Sequence, residues 1–262
     1  MGMSNRIDYY SRDTSNIYRY IKSWAPGKAN KRLITLIGNR SDSTFYAGAR
    51  WRFQNLRQWM AHHSDYSRTP LAIVDKFNNI LVDSLFMLKT PTPLMEQAQS
   101  GGTIVYGVPP YQYRDRFRPL KDGRYLIASA DSSKLYIYDR HHELDQSIQL
   151  RIKERMVGKV DLDKQFELME IDNSKRKKMK TRVPERKPPF LDIWVSQNFF
   201  WLHTDTGEEG KQIIVLDRER EAAGTFFLSE FDVIEHVSND RIYTLHKDPT
   251  AGHSIRIYQV DV

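Results

Sequence analysis

The sequence predicts an all-β protein built from four-stranded antiparallel meanders, and three observations support this prediction. Residues 190–228 contain four short runs rich in aromatic and β-branched residues, separated by turn sequences such as Ser-Gln-Asn and Asp-Thr-Gly. Residues 114–150 repeat this order of strands and turns, although not the same residues. Aromatic residues make up 12% of the chain, which suits strands better than helices. Because a four-stranded meander is the unit of a propeller blade, we predict a β-propeller.

The first 60 residues show a weaker form of the same pattern. Residues 6–24 are predicted to form two strands around a Thr-Ser-Asn turn, and residues 31–38 a third strand after a Pro-Gly break. We group these three strands as one incomplete blade. The run at 44–60 is rich in aromatic residues and Arg, and its period fits both a strand and a helix.

The remaining strand-like segments complete the count of blades. Residues 71–88 are predicted to form a hairpin that turns at Lys-Phe-Asn-Asn, and residues 91–115 a connection with at most one strand, at 104–106. Residues 231–262 supply three more strands. We count about five blade units, two of them incomplete, in a single propeller domain spanning residues 1–262. Because an unpaired blade edge is a liability, either the ring closes with few blades or the domain is incomplete at its N-terminus.

One segment, residues 152–189, breaks the strand pattern. Asp161 is predicted to cap a helix over Leu162–Ile171, in which Leu162, Phe166 and Met169 lie at helical spacing and face the body. A basic run and a return rich in Pro follow this helix. We predict one helical and basic insertion between two blades.

Three stretches carry a resemblance to a known family: KDGRYLIASADSSKLYIYDRHHEL, VPERKPPF and IWVSQNFFWLHTD. They resemble the bacterial six-bladed β-propeller family related to NHL-repeat proteins, over residues 70–262 and more loosely over residues 1–70. The shared features are turn Asp and Gly residues and strand aromatics, so the resemblance implies an architecture and not an activity. It also implies an exported, periplasmic protein, although MGMSNRIDYYSRD lacks the apolar core of a signal peptide.

Composition excludes several classes of protein. The chain has no Cys, so it forms neither disulfides nor thiolate metal sites. No apolar run reaches the length of about 18 residues that a membrane-spanning helix needs. The net charge of +7 is moderately basic and is concentrated in residues 175–187 and in Arg-rich stretches before residue 70.

The residues just before the first strand of the blade at 114–150 are our candidate ligand-binding cluster: Tyr111, Tyr113, Arg114 and Arg116. The innermost strands of a propeller, and the loops entering them, line its central channel. These four residues would therefore line the channel, where their aromatic rings and guanidinium groups can contact a ligand, the latter through two hydrogen bonds each. The alternative is ordinary packing, because Arg stacks on Tyr without any ligand.

The strongest charge feature is a basic patch in the insertion: Lys175, Arg176, Lys177, Lys178 and Lys180. Such a patch can contact the phosphates of nucleic acid or of an anionic surface. It can equally be the solvated face of an inserted helix, which is the interpretation we favour. We therefore do not expect nucleic acid as a partner.

The histidines and carboxylates form no sequence pattern that is typical of a catalytic or metal site. His62 and His63, like His141 and His142, are adjacent in sequence, so on a strand they point to opposite faces and form no chelate. The other four, at positions 203, 236, 246 and 253, are scattered, and we interpret the histidines as surface or turn residues. Turn positions are also predicted for three carboxylates: Asp139, Asp205 and Asp217. No cofactor motif is present.

These observations favour a non-catalytic binding or scaffolding module over an enzyme, with a protein or a glycan as the ligand. Two alternatives remain. One is a metal-dependent hydrolase or lyase whose site lies in the central channel. The other is binding to nucleic acid or an anionic surface through the basic insertion.

Overall fold

The computed structural model of the protein describes residues 7–12, 18–24, 28–29, 32–41, 43–51, 68–77, 79–97, 103–120, 123–207, 209–217, 222–248 and 250–260. Over these residues the chain is mostly β, with antiparallel sheets and few helices. It divides into two compact units, unit 1 over Met1–Thr90 and unit 2 over Pro91–Val262. None of the described helices is long and apolar enough to span a membrane.

Unit 1 contains the first seven described strands: β1 Ile7–Arg12, β2 Tyr18–Trp24, β3 Lys28–Ala29, β4 Arg32–Asn39, β5 Thr44–Trp51, β6 Arg68–Asp75 and β7 Ile80–Lys89. Strands β1 and β2 form their own two-stranded sheet, whereas β3 to β7 form a five-stranded antiparallel sheet in chain order. The grouping of residues 6–24 and 31–38 into one blade is therefore wrong. The reason is the tight turn after β4, in which the Arg40 N–H donates to the Thr44 carbonyl at 3.0 Å and brings β5 alongside β4.

Two further segments of unit 1 can be compared with their predictions. The hairpin at 71–88 is confirmed as β6 and β7, and the Asp75 carboxylate closes its turn by accepting from the N–H groups of Phe77 and Asn79 at 2.8 Å each. The ambiguous run at 44–60 begins as strand β5. Its remainder, and the Thr-Ser-Asn turn, lie outside the described residues.

Unit 2 contains the other thirteen described strands: β8 Leu94–Gln97, β9 Thr103–Gly107, β10 Arg116–Pro119, β11 Tyr125–Ser129, β12 Lys134–Tyr138, β13 Leu144–Gln149, β14 Asp192–Val195, β15 Phe199–Gly207, β16 Gly210–Asp217, β17 Ala222–Leu228, β18 Asp232–Val237, β19 Arg241–Asp248 and β20 Gly252–Gln259. They form four antiparallel sheets in chain order: β8–β9, β10–β13, β14–β17 and β18–β20. The four-stranded sheets predicted at 114–150 and 190–228 and the three strands predicted at 231–262 are confirmed. The limit of one strand within 91–115 is wrong, because β8 pairs with β9.

The last three sheets of unit 2 pack face to face. Leu126 and Ile137 of the first sheet share a buried core with Phe200 of the second. Trp201 on the opposite face of the second sheet shares another core with Ile242 of the third. The first strands lie side by side, β10 against β14 and β14 against β18. Groups carried at corresponding ends of these three strands therefore meet.

Two helices, α1 over Lys159–Leu168 and α2 over Asn173–Lys180, lie in the segment predicted as an insertion. The predicted start of the first helix at residue 162 is wrong. Asp161 occupies the first turn of α1, where its carboxylate accepts from the Gly158 N–H at 3.0 Å, so the helix begins before it. The predicted inward face is correct at Phe166, which is fully buried, and wrong at Met169, which is 38% exposed.

The basic run forms a second helix that was not predicted separately. Asp172 caps α2 by accepting from the Lys175 N–H at 3.0 Å, which allows a new helix to begin after the chain leaves α1. Met179 is the buried residue of α2.

Candidate functional site

The ends of the three adjacent first strands enclose a cleft of about 700 Å³ in unit 2. Ile137, Val195 and Val237 supply apolar lining, and polar side chains supply much of the rest: Arg124, Gln146, Gln197, His236, Ser238 and Asn239. A concave site with apolar walls and a few polar groups is typical of ligand-binding pockets.

Two polar turns that line the cleft are held in place by specific hydrogen bonds. In the turn after β14, Ser196 Oγ accepts from the buried Trp201 Nε1 at 3.1 Å. In the turn after β18, Asn239 Oδ1 accepts from the Asn198 N–H at 3.1 Å, which ties the two turns together. Within the described ranges, the side-chain NH₂ groups of Gln146 and Asn239 have no hydrogen-bond partner in the protein. The cleft therefore presents two available donors to a ligand, and the Asn239 side chain is held in place by its bond to Asn198.

The four residues of the predicted ligand-binding cluster divide into two pairs. Tyr111 and Tyr113 contact the end of the insertion: the Tyr111 ring lies 5.5 Å from Lys187 Nζ, and the Tyr113 hydroxyl donates to the Arg186 carbonyl at 3.4 Å. Arg114 and Arg116 instead interact with a carboxylate at the start of β14. The structure thus places the two tyrosines and the two arginines in different sets of contacts, and their role in ligand binding stays a prediction.

Tyr111 packs over a buried ionic network that joins the insertion to β15. Lys187 Nζ lies 2.8 Å from both Asp161 and Asp205, and Arg155 Nη1 lies 2.9 Å from Asp205. Burial, together with these two carboxylates, raises the pKa of Tyr111, so its phenol stays neutral. This network holds α1 against the second sheet.

Arg114 and Arg116 belong to a group that we call the arginine row: Arg114, Arg116 and Arg118. Arg116 Nε donates to the Leu191 carbonyl at 3.0 Å and lies 3.3 Å from Asp192. Arg118 Nη2 lies 2.6 Å from the same carboxylate, and its Nε donates to the Ile193 carbonyl at 2.6 Å. Burial lowers the pKa of Arg116 to about 10, with Asp192 opposing and the other two arginines adding to this decrease. The row therefore fixes β10 against β14 and concentrates positive charge there.

The basic patch on α2 forms contacts within the protein. Lys178 Nζ lies 2.8 Å from Glu96, Lys175 Nζ 3.2 Å from Asp172 and Lys180 Nζ 3.6 Å from Asp163. Arg176 Nε donates to the Ile171 carbonyl at 2.8 Å. Lys177 is exposed and has no ionic partner among the described residues. Most of the patch is therefore already paired, in keeping with its interpretation as a helix face.

Several polar residues of unit 2 lie in the sheets and not at the surface or in turns, where the sequence placed them. His246 is buried on β19 and its Nδ1 lies 2.8 Å from Asp232, a fully buried carboxylate. His203 lies on β15, as does Asp205, which was predicted as a turn residue. Asp139 does close a turn, accepting from the His141 N–H at 2.8 Å. The prediction of a surface or turn position is wrong for the polar groups that are buried and paired with a residue far away in the sequence.

His203 makes the stability of unit 2 depend on pH. Burial, reinforced by Lys211, lowers the pKa of His203 from 6.5 to about 4, and Asp192 only partly opposes this. As the pH falls below about 6.5, His203 therefore becomes protonated in the unfolded chain but stays neutral in the folded chain, which favours unfolding. We expect His203 to reduce the free energy of unfolding by about 1.5 kcal/mol between pH 6.5 and pH 5.

The measurement is a series of urea titrations across this pH range on the wild type and two variants. His203→Gln should lose this part of the pH dependence, while His253→Gln, altered at an exposed histidine of β20, should keep it. Parallel curves for the wild type and His203→Gln would contradict the assignment.

No three His, Asp or Glu side chains in the described part of the chain lie close enough to hold a metal ion. His141 and His142 lie in the turn between β12 and β13, where the His142 ring packs on Tyr125 at 5.7 Å. His62 and His63 lie outside the described residues.

Sequence analysis missed the cleft, although a signal for it was present. The strands that became β14 and β18 are followed by similar polar turns, Ser196-Gln197-Asn198 and Ser238-Asn239-Asp240. Once β10, β14 and β18 are known to be neighbours, such turns must meet at one end of the sheets. Gln146 carries no such signal, because it lies within β13.

No protein-family model matches the chain, and no curated protein matches it. Among solved structures, BamB from Moraxella catarrhalis is 9% identical with a TM-score of 0.36, over 98% of this chain and 67% of BamB. The AfRom2 CNH domain is 9% identical with a TM-score of 0.33, over 96% and 70% of the two chains. A protein of unknown function from Bacteroides caccae is 10% identical with a TM-score of 0.32, over 97% and 86%. Similarities this low carry no inference, so the resemblance to NHL-related propellers stays a prediction.

Proposed function

We propose that the protein is a non-catalytic binding module of the β-propeller type, which holds a peptide segment of a partner protein in the cleft of unit 2. The observation that carries this proposal is the cleft itself, formed where the ends of β10, β14 and β18 meet. Sheets that pack face to face with their first strands side by side are arranged as neighbouring propeller blades are, which supports the propeller part of the proposal. The six-bladed count rests on the sequence resemblance alone.

The lining of the cleft favours a peptide as the ligand. The side-chain NH₂ groups of Gln146 and Asn239 can each donate a hydrogen bond to a C=O group of a peptide backbone. Val195 and Val237 offer apolar contact for a side chain between these hydrogen bonds. A cleft of about 700 Å³ has room for a few residues of an extended segment. The other ligand class predicted from the sequence, a glycan, is left as an outcome of the test.

The proposal is tested by selecting ligands from a random-peptide phage library and measuring their affinity by fluorescence anisotropy. Asn239→Ala and Gln146→Ala should each weaken binding about fivefold to tenfold, since each removes one hydrogen bond worth about 1 kcal/mol. Gln259→Ala is the matched control, because Gln259 is exposed on β20 and does not line the cleft. Its affinity should equal that of the wild type.

Two results would contradict the peptide assignment. In the first, selected peptides bind the Asn239→Ala, Gln146→Ala double variant as tightly as the wild type. In the second, no peptide is selected, but the wild type binds a glycan on a glycan array and the double variant does not. The ligand class would then be a glycan.

A further inference from the structure

The arginine row places three positive charges near the Asp192 carboxylate. Arg116 and Arg118 both lie against Asp192, and Arg114 is close enough to interact electrostatically with Asp192 and with Arg116. Among the described residues, Asp192 is the carboxylate that forms ion pairs with the row, and it does so with Arg116 and Arg118.

The three arginines differ in how many of their donors are used. Arg116 donates to the Leu191 carbonyl, and Arg118 to the carbonyls of Ile193 and Phe117 in addition to its ion pair. Arg114 forms no hydrogen bond and no ion pair within 4.0 Å with any described residue, although a guanidinium has five N–H donors. It is therefore the free member of the row.

Arg114 is half-buried, and this makes its lack of a partner costly. Burial lowers the pKa of Arg114, and Asp192 only partly compensates. An uncompensated charge in a partly desolvated position destabilises the fold unless an opposite charge reaches it. Arg114 keeps part of its surface exposed, so a ligand can approach this residue.

We propose that Arg114 is the anchor of an anion site that binds the carboxylate group of a ligand, with the neighbouring Arg116 as supporting charge. A planar carboxylate matches the fork of one guanidinium through two parallel N–H···O hydrogen bonds. A phosphate can form the same pair of hydrogen bonds, but its additional oxygens would find no second unpartnered guanidinium among the described residues of the row. The site is distinct from the cleft: Arg114 precedes β10, whereas the cleft lies at the other end of that strand.

The test follows the Nε–H signal of Arg114 by NMR during titration of the whole protein with acetate, at constant ionic strength set by chloride. The signal is assigned from its absence in Arg114→Gln. We expect a shift that saturates at millimolar acetate, with weaker binding of inorganic phosphate. Followed through backbone amides near residue 114, acetate affinity should fall at least tenfold in Arg114→Gln and stay unchanged in Arg151→Gln, whose arginine is exposed.

Arg114→Lys keeps the charge and removes the fork, so it separates geometry from net charge and remains informative if the Gln variant is unstable. It should bind acetate severalfold more weakly than the wild type. Unchanged acetate affinity in both variants, or no saturable shift in the wild type, would overturn the site. Tighter binding of phosphate than of acetate would overturn the carboxylate assignment.

Discussion

Replacing Asp232 with Ala is expected to lower the free energy of unfolding of unit 2 by about 4 kcal/mol. The carboxylate is 0% exposed and accepts from His246 Nδ1 at 2.8 Å and from the Tyr258 hydroxyl at 2.6 Å. Burial would raise the pKa of Asp232, but the hydrogen bonds from Tyr258 and His246 outweigh it and lower the pKa. The group is therefore an anion at neutral pH. Its removal leaves the buried His246 donor on β19 and the half-buried Tyr258 hydroxyl on β20 without this acceptor.

The measurement is hydrogen–deuterium exchange of peptides covering 232–248 across a urea series, because it reports this sheet alone. Asp232→Asn should cost about half as much, since one carboxamide oxygen still accepts while the NH₂ group faces a donor. Asp240→Ala is the matched control: its carboxylate is 59% exposed, so a change within about 0.5 kcal/mol is expected. A loss below about 1 kcal/mol in Asp232→Ala would contradict the role given to this network.

Replacing Lys187 with Met is expected to destabilise unit 2 by about 3 kcal/mol. The ammonium group is buried, with a side chain 5% exposed, and it pairs with Asp161 of α1 and Asp205 of β15. Met has a similar length and no charge, so the variant leaves the two carboxylates facing one another. Arg155 continues to compensate Asp205 and limits the loss.

Because Lys187 links α1 to β15, the effect should be local as well as global. Limited proteolysis should cut the Lys187→Met variant within the helical segment faster than the wild type, and α1 should lose protection from hydrogen exchange. The matched control is Lys177→Met on α2, where the lysine is exposed. Equal stability of the two variants would mean that the buried ion pairs do not hold the insertion in place.

Local sequence patterns predict the strand pairing of unit 2 better than that of unit 1, because the turns in unit 2 are short. In 114–150 and 190–228 each strand pairs with the next through a short turn, so alternating side chains and turn residues determine both strand and partner. In unit 1 the local pattern does not show whether the strand at 31–38 pairs with the strands at 6–24 or with the strand that follows it. The turn between Arg40 and Thr44 pairs β4 with β5. The sequence alone does not show that this turn determines the partner of β4.

The candidate sites were harder to predict, because their contacts join residues far apart in the chain. Asp205 has the sequence context of a turn residue, and only its contacts with Lys187 and Arg155 explain its place within β15. The sequence places Arg114 and Arg116 close together, but Asp192, which distinguishes their contacts, lies on another sheet. The cleft requires three strand ends to be adjacent, which no local pattern shows.

The central claim is that a partner peptide binds in the cleft, and hydrogen–deuterium exchange of the protein with a selected peptide tests it most directly. Bound peptide should slow exchange at residues 196–198 and 236–239, because these turns line the cleft or support it. The same peptide should leave α2 and β20 unchanged. Protection confined to α2 or to β20, with no change in the two turns, would contradict the claim and move the binding surface elsewhere.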